Sequence, residues 1–143
     1  MRLPLTVLVA IAGSLGLMAA ANWSMPPAAC PGANLQVAQA ADDAALIADL
    51  VKEGKPLFSM VCKDCHGAAG EGGDGPPLAG NEALSSRSAV VTQILVGDAD
   101  HGMPAFDFLS DQEIAAVATY VRNTWDNAFG IVTAERVARS RPE

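Results

Sequence analysis

Half of the sixteen positions from 67 to 82 are glycine or proline: Gly67, Gly70, Gly72, Gly73, Gly75, Pro76, Pro77 and Gly80. No helix or strand persists through such a run, so it is a loop and divides the chain. Before it, Asp42 or Asp43 can cap a helix whose apolar positions are Ala45, Leu46, Ala48, Leu50 and Val51, with Gly54 as its stop. Pro56 suits the first turn of a second helix running through Phe58, Met60 and Val61, because its missing N–H is not needed there. After the loop, Ser85 or Ser86 can cap a short helix with Val90, Val91, Ile94 and Leu95 on its apolar face and Gly97 as its end. Residues 98–109 form a second loop. Ser110 and Glu113 then make a capping box, and the helix they open buries Ile114, Val117, Ala118 and Val121. No strand pattern and no internal repeat is visible. The fold class is therefore all-α, with short helices and long loops. Such a chain has a poor core unless something large fills it.

The filler is indicated by Cys62-Lys63-Asp64-Cys65-His66, a C-x-x-C-H pentapeptide at the end of the second helical pattern. This is the attachment signature of a c-type haem. Two thiols three positions apart can reach the two vinyl groups on one porphyrin edge and form thioethers. His66, the next residue, can then place its imidazole under the iron. Two other readings compete. A redox-active C-x-x-C usually accompanies a βαβ pattern, which is absent. A zinc site needs two further ligands, which only His66 and His101 could supply on paper. Cys30 stands alone in a Pro- and Ala-rich stretch and reads as a leader residue of no consequence.

Charge and targeting set the compartment. Residues 3–41 carry no charged side chain. Of nine basic residues one, Arg2, lies before position 42, so residues 42–143 hold eight basic against sixteen acidic groups, a net of −8. That balance excludes nucleic acid as a partner, since phosphates demand Lys and Arg. It also disfavours an anionic membrane surface and suits docking to basic patches on other proteins. Arg2 and the apolar run from Leu3 to Ala21 read as an export signal. Cleavage sites fit after Ala19-Ala20-Ala21 and after Ala38-Gln39-Ala40; the rival reading is an uncleaved anchor, near the roughly 20 residues that span a bilayer. Either way the remainder is expected outside the inner membrane, soluble in the periplasm or tethered to the membrane's outer face. The expected organisation is 1–21 signal or anchor (with cleavage as late as 40), 22–41 leader or linker, 42–127 haem domain and 128–143 C-terminal tail.

An iron that only transfers electrons usually takes a second axial ligand. Met1, Met18 and Met25 fall in the leader, and Met60 on the approach to the pentapeptide reads as packing. Met103, in Gly102-Met103-Pro104-Ala105-Phe106, lies on a loop far enough along the chain to reach the opposite haem face. A thioether there raises the reduction potential and blocks oxygen binding. His101 reads as a surface residue near Asp98 and Asp100.

Residues 53–127 resemble the small class I (monohaem) cytochromes c. Gly54-Lys55-Pro56-Leu57-Phe58 followed by the pentapeptide is similar to that family's first helix, and Gly75-Pro76-Pro77-Leu78-Ala79-Gly80 to its Gly-Pro-x-Leu loop. Gly102–Phe106 resembles its methionine ligand loop, and Tyr120 falls where its last helix sets an aromatic against the first. The resemblance implies one covalent haem c on Cys62 and Cys65, His66 and Met103 as axial ligands, and a hydrogen bond from His66 to the carbonyl of Pro76. It implies single-electron transfer between exported or membrane redox proteins, with no catalysis by this chain. The ending Tyr120–Asn127 and the tail to Val137 are similar to cytochrome subunits of periplasmic sugar and alcohol dehydrogenases. A fixed subunit of such a complex is therefore the alternative to a free carrier. A haem enzyme or gas sensor with an open sixth position is the third reading. Membrane contact is expected only if the N-terminal segment stays uncleaved.

Overall fold

A computed structural model describes residues 31–142, with side-chain surroundings from 39 onward. The expectations for the Leu3–Ala21 segment, the Ala21 cleavage site, Cys30 and the linker up to residue 30 lie outside the described residues. The helices are α1 (Pro31–Val61), α2 (Lys63–His66), α3 (Arg87–Val96), α4 (Asp111–Arg122) and α5 (Ala134–Ser140), with 3-10 turns at Glu82–Ser85 and Ala99–His101. Among the described residues there is no strand, only an isolated bridge between Asp98 and Met103. The fold is all-α.

Two helices expected on either side of Gly54 and Pro56 are one. α1 runs unbroken from Pro31 to Val61 with Pro56 inside it. It also takes in residues 31–41, read from the sequence as linker, and the second cleavage site at Ala38–Ala40. The reason is tertiary. Leu50, Gly54 and Phe58, four residues apart, are buried on one face, while Lys52 and Pro56 lie on the exposed face. The bond that Pro56 removes is thus on the water side, and the cost of glycine is offset by what it permits. A Cβ on Gly54 would sit 2.2 Å from the Ala116 carbonyl oxygen and 2.8 Å from the Tyr120 Cβ, so α1 and α4 cross in backbone contact there.

Just beyond the crossing, three aromatic rings lock the two helices. Phe58 and Tyr120 have centroids 5.3 Å apart, Phe58 and Trp125 5.0 Å, and Tyr120 meets Trp125 edge-on at 5.2 Å. Aromatic pairs in this geometry add ~0.5–1.5 kcal/mol each beyond area burial. Trp125 and Asp126 adopt left-handed backbone (φ 53° and 68°), turning the chain sharply after α4. α4 is the most enclosed element: every residue from Ile114 to Arg122 is buried.

α4 begins as its sequence predicts. Ser110 Oγ accepts from Glu113 N–H at 3.3 Å, and Glu113 Oε2 accepts from Ser110 N–H at 2.9 Å. Ser110→Ala is expected to cost about 1 kcal/mol, read as a lower urea midpoint at unchanged slope. α3 likewise starts at Ser86, whose Oγ accepts from Ala89 N–H, and stops at Gly97. Its buried residues are Val90, Val91 and Leu95.

Residues 128–142, read from the sequence as the greater part of a C-terminal tail, pack against the core. Val132 and Val137 are completely buried in the main core. The Val132 amide donates to Thr119 Oγ1 at 3.0 Å, and that hydroxyl donates back to the Val132 carbonyl at 3.2 Å. Arg141 closes the end with an ion pair to Asp111 at 2.6 Å and bonds to the carbonyls of Asp107 and Leu109. Arg122, 1% exposed, donates to the carbonyls of Leu84, Ser85, Phe129 and Gly130, stitching α4 to the segments before α3 and α5.

Candidate functional site

At the end of α1 the backbone makes one more helical turn. Cys62 N–H donates to the Phe58 carbonyl at 3.0 Å, and Cys65 and His66 N–H both donate to the Cys62 carbonyl, at 3.3 and 3.0 Å. One turn therefore carries Cys62, Cys65 and His66 together. Both thiols are free, Cys62 half-buried and Cys65 exposed. Burial, and then the neighbouring Cys65, push the Cys62 thiol up to about 11. The zinc reading of the pair would need two further ligands beside it. Among the described residues no three His, Cys, Asp or Glu side chains converge as a metal site of that kind requires.

The Gly- and Pro-rich loop folds back onto this turn through backbone bonds. Gly72 N–H donates to the His66 carbonyl at 2.8 Å and Gly75 N–H to the Cys65 carbonyl at 2.9 Å. This brings Pro76 over the imidazole, and His66 Nδ1 lies 2.9 Å from the Pro76 carbonyl oxygen. A carbonyl only accepts, so Nδ1 carries a proton, and in the neutral ring Nε2 is the nitrogen with the lone pair. The approach depends on Gly75: a Cβ there would lie 2.9 Å from His66 Cε1 and 3.0 Å from Nδ1. The loop is anchored at its far side as well, where Leu78 and Ala79 N–H both donate to the Gly70 carbonyl. Asn127 Nδ2 donates to the Leu78 carbonyl at 2.9 Å, tying the loop to the turn after α4.

Met103 is carried by the other loop. Asp98 and Met103 exchange both backbone bonds, at 2.8 and 2.9 Å, around the 3-10 turn between them. Asp98 caps that turn. Its carboxylate accepts from His101 Nδ1 at 2.8 Å, and this bond holds the Asp98 carboxyl below its usual range. His101 points into solvent, 81% exposed. Phe106 N–H donates to the Ile94 carbonyl at 2.9 Å and fastens the loop to α3. The half-buried Met103 presents its sulfur to Gln93, whose Nε2 donates to Sδ at 3.5 Å. Met60, read from the sequence as packing, is 73% exposed on α1 and fills no part of the core.

Gln93 and Gly75 were not singled out by sequence reasoning for what they do here. Gln93 sits among apolar neighbours with no spacing signal, and its role follows only from the loop doubling back on α3. The donor set suits a c-type haem: two free thiols and an imidazole on one turn, with Nδ1 engaged and Nε2 available.

Comparison with known proteins agrees with this chemistry. Residues 49–121 match the family described as cytochrome C oxidase, cbb3-type, subunit III. That span contains Cys62, Cys65, His66, Pro76 and Met103. The chain is also 32% identical over 106 residues to the fructose dehydrogenase cytochrome subunit of Gluconobacter japonicus. The alignment covers 62% of this chain and 22% of that relative, so the chain spans less than a quarter of the relative's length.

Proposed function

Because this chain belongs to the family described as cytochrome c oxidase, cbb3-type, subunit III, a family of electron-transferring c-type cytochromes, we propose that it is a single-haem electron carrier. Cys62 and Cys65 would hold one haem c through thioethers, and His66 and Met103 would ligate its iron. When bound, the haem supplies a one-electron ferric–ferrous couple.

The chain's own residues account for the rest. The observation that carries the reading is the His66–Pro76 bond at 2.9 Å. It fixes the ring's tautomer and orientation and raises the basicity of Nε2 toward a metal. On the second loop, the Asp98–Met103 bridge fixes the backbone that carries Met103, and the Gln93 amide donates to its sulfur. A thioether ligand favours the reduced state and closes the sixth position, which sets this reading above a haem enzyme or gas sensor. The acidic surface of residues 42–143 favours fast, salt-sensitive encounter with basic faces of redox partners.

The partners are exported or membrane redox proteins, and the chain works outside the inner membrane. No helix among the described residues is long and apolar enough to cross a membrane. Likeness to a dehydrogenase's cytochrome subunit favours a second reading, in which this chain is a fixed, non-catalytic subunit of a periplasmic dehydrogenase complex.

Covalent attachment is tested by acid–acetone extraction. Haem is expected to remain with the wild-type protein. In the Cys62→Ala, Cys65→Ala double variant any haem should pass into the organic phase. Release of haem from the wild type would overturn the attachment.

A further inference from the structure

On the surface where α3, α4 and α5 converge there is a concavity of about 300 Å3 lined by Ser85, Arg87, Ser88, Arg122, Phe129 and Arg136. None of the haem-site residues lines it. Residues 42–143 carry eight basic groups against sixteen acidic ones, yet three of the basic groups meet here. None of the three makes an ion pair: among the described residues the paired carboxylates are Asp98 and Asp111, held by His101 and Arg141.

Arg122 makes the arrangement costly as it stands. It is 1% exposed, and its bonds run to the carbonyls of Leu84, Ser85, Phe129 and Gly130. Those dipoles satisfy four of five N–H donors but bring no negative charge, and the guanidinium cannot escape by losing its proton. Burial, and then the like charge of Arg87, disfavour its charged form. Buried charges are ordinarily paired. Arg87 and Arg136 add exposed guanidinium forks, which match oxyanions in bidentate geometry. Ser85 and Ser88 add hydroxyl donors.

We propose that the concavity formed by Arg87, Arg122, Arg136, Ser85 and Ser88 is a binding site for a multivalent oxyanion of the phosphate class. The doubly charged anion offsets the like charge of Arg87 and Arg122, and Arg136 reaches the same concavity from a third helix. Its binding cross-links α3 and α5 to the end of α4. The site is independent of the haem-site reading, because it shares no residue with it.

The test uses the intact haem protein at constant ionic strength, titrated in separate arms with inorganic phosphate, citrate and chloride. Amide shifts of residues 86–89 and 134–137 report the site. Saturable shifts with phosphate or citrate, but not with chloride, are expected. The Arg87→Gln, Arg136→Gln double variant should weaken apparent affinity by about tenfold or more, since charge-assisted bonds are lost. Its haem spectrum should be unchanged. Absence of a saturable response to both phosphate and citrate would overturn the site. So would an equal response to chloride, or undiminished affinity in the double variant.

Discussion

Met103→Ala is expected to abolish the weak near-infrared band of sulfur-to-iron charge transfer in the ferric protein. It should lower the reduction potential on the order of 0.1 V, a fraction of the ~0.8 V that axial ligands span. The sign follows from the ligand: a thioether stabilises ferrous iron, so its removal favours ferric. The reduced variant should also bind carbon monoxide near neutral pH, where the wild type binds it poorly. The substitution leaves the loop's scaffold in place. The Asp98–Met103 bridge is made by backbone atoms, and Phe106 N–H still reaches the Ile94 carbonyl. The change therefore isolates the sulfur, and the Gln93 amide that donates to it at 3.5 Å loses its acceptor. A band that survives the substitution would remove Met103 from the iron and leave Met60, exposed on α1, as the remaining thioether in the domain.

Parts of the fold written in local chemistry were readable from the sequence. The Ser110–Glu113 box, the Ser86 cap and the Gly97 stop depend on side chains within three or four residues of the backbone they serve. That Cys62, Cys65 and His66 share one turn was readable for the same reason, since they lie within five residues of each other. What was hidden depends on distant partners. Gly54 and Pro56 look like punctuation locally, yet α1 passes through both because Gly54 lets α4 approach. Residues 128–143 look like a tail because α5 is seven residues long, with Val137 as its one buried residue. Its docking rests on Thr119 and Arg122, two polar residues of α4, and on Val132 outside any helix, none of which an apolar spacing marks. Arg122 is the clearest case. A basic residue at the end of a helix reads as surface, and only the carbonyls gathered from Leu84, Ser85, Phe129 and Gly130 explain its burial. Pro76 was legible through family resemblance and not through spacing.

Gly54→Ala gives the sharpest test of that hidden packing, because two effects of opposite sign compete. On an exposed helix the change stabilises by about 1 kcal/mol, through the higher helix propensity of alanine. Here the added Cβ would lie 2.2 Å from the Ala116 carbonyl oxygen and 2.6 Å from the Ala116 carbonyl carbon. These are backbone atoms within a buried helix, so no side chain can rotate away. Overpacking of this kind typically costs 1–3 kcal/mol, and relief requires α1 and α4 to separate. Separation would loosen the Phe58–Tyr120–Trp125 contacts, whose centroids lie 5.0–5.3 Å apart. The clash is expected to prevail, with a net loss of about 2 kcal/mol read from the urea midpoint. The effect should extend to the site. Phe58 accepts the bond from Cys62 N–H that begins the turn carrying Cys62, Cys65 and His66, so a displaced α1 shifts that turn relative to the loop whose Pro76 carbonyl meets His66. A lower yield of covalently attached haem at equal expression is the second readout. A Gly54→Ala protein more stable than the wild type would show that α1 and α4 do not touch at this point, and the account of why α1 is continuous would fall with it.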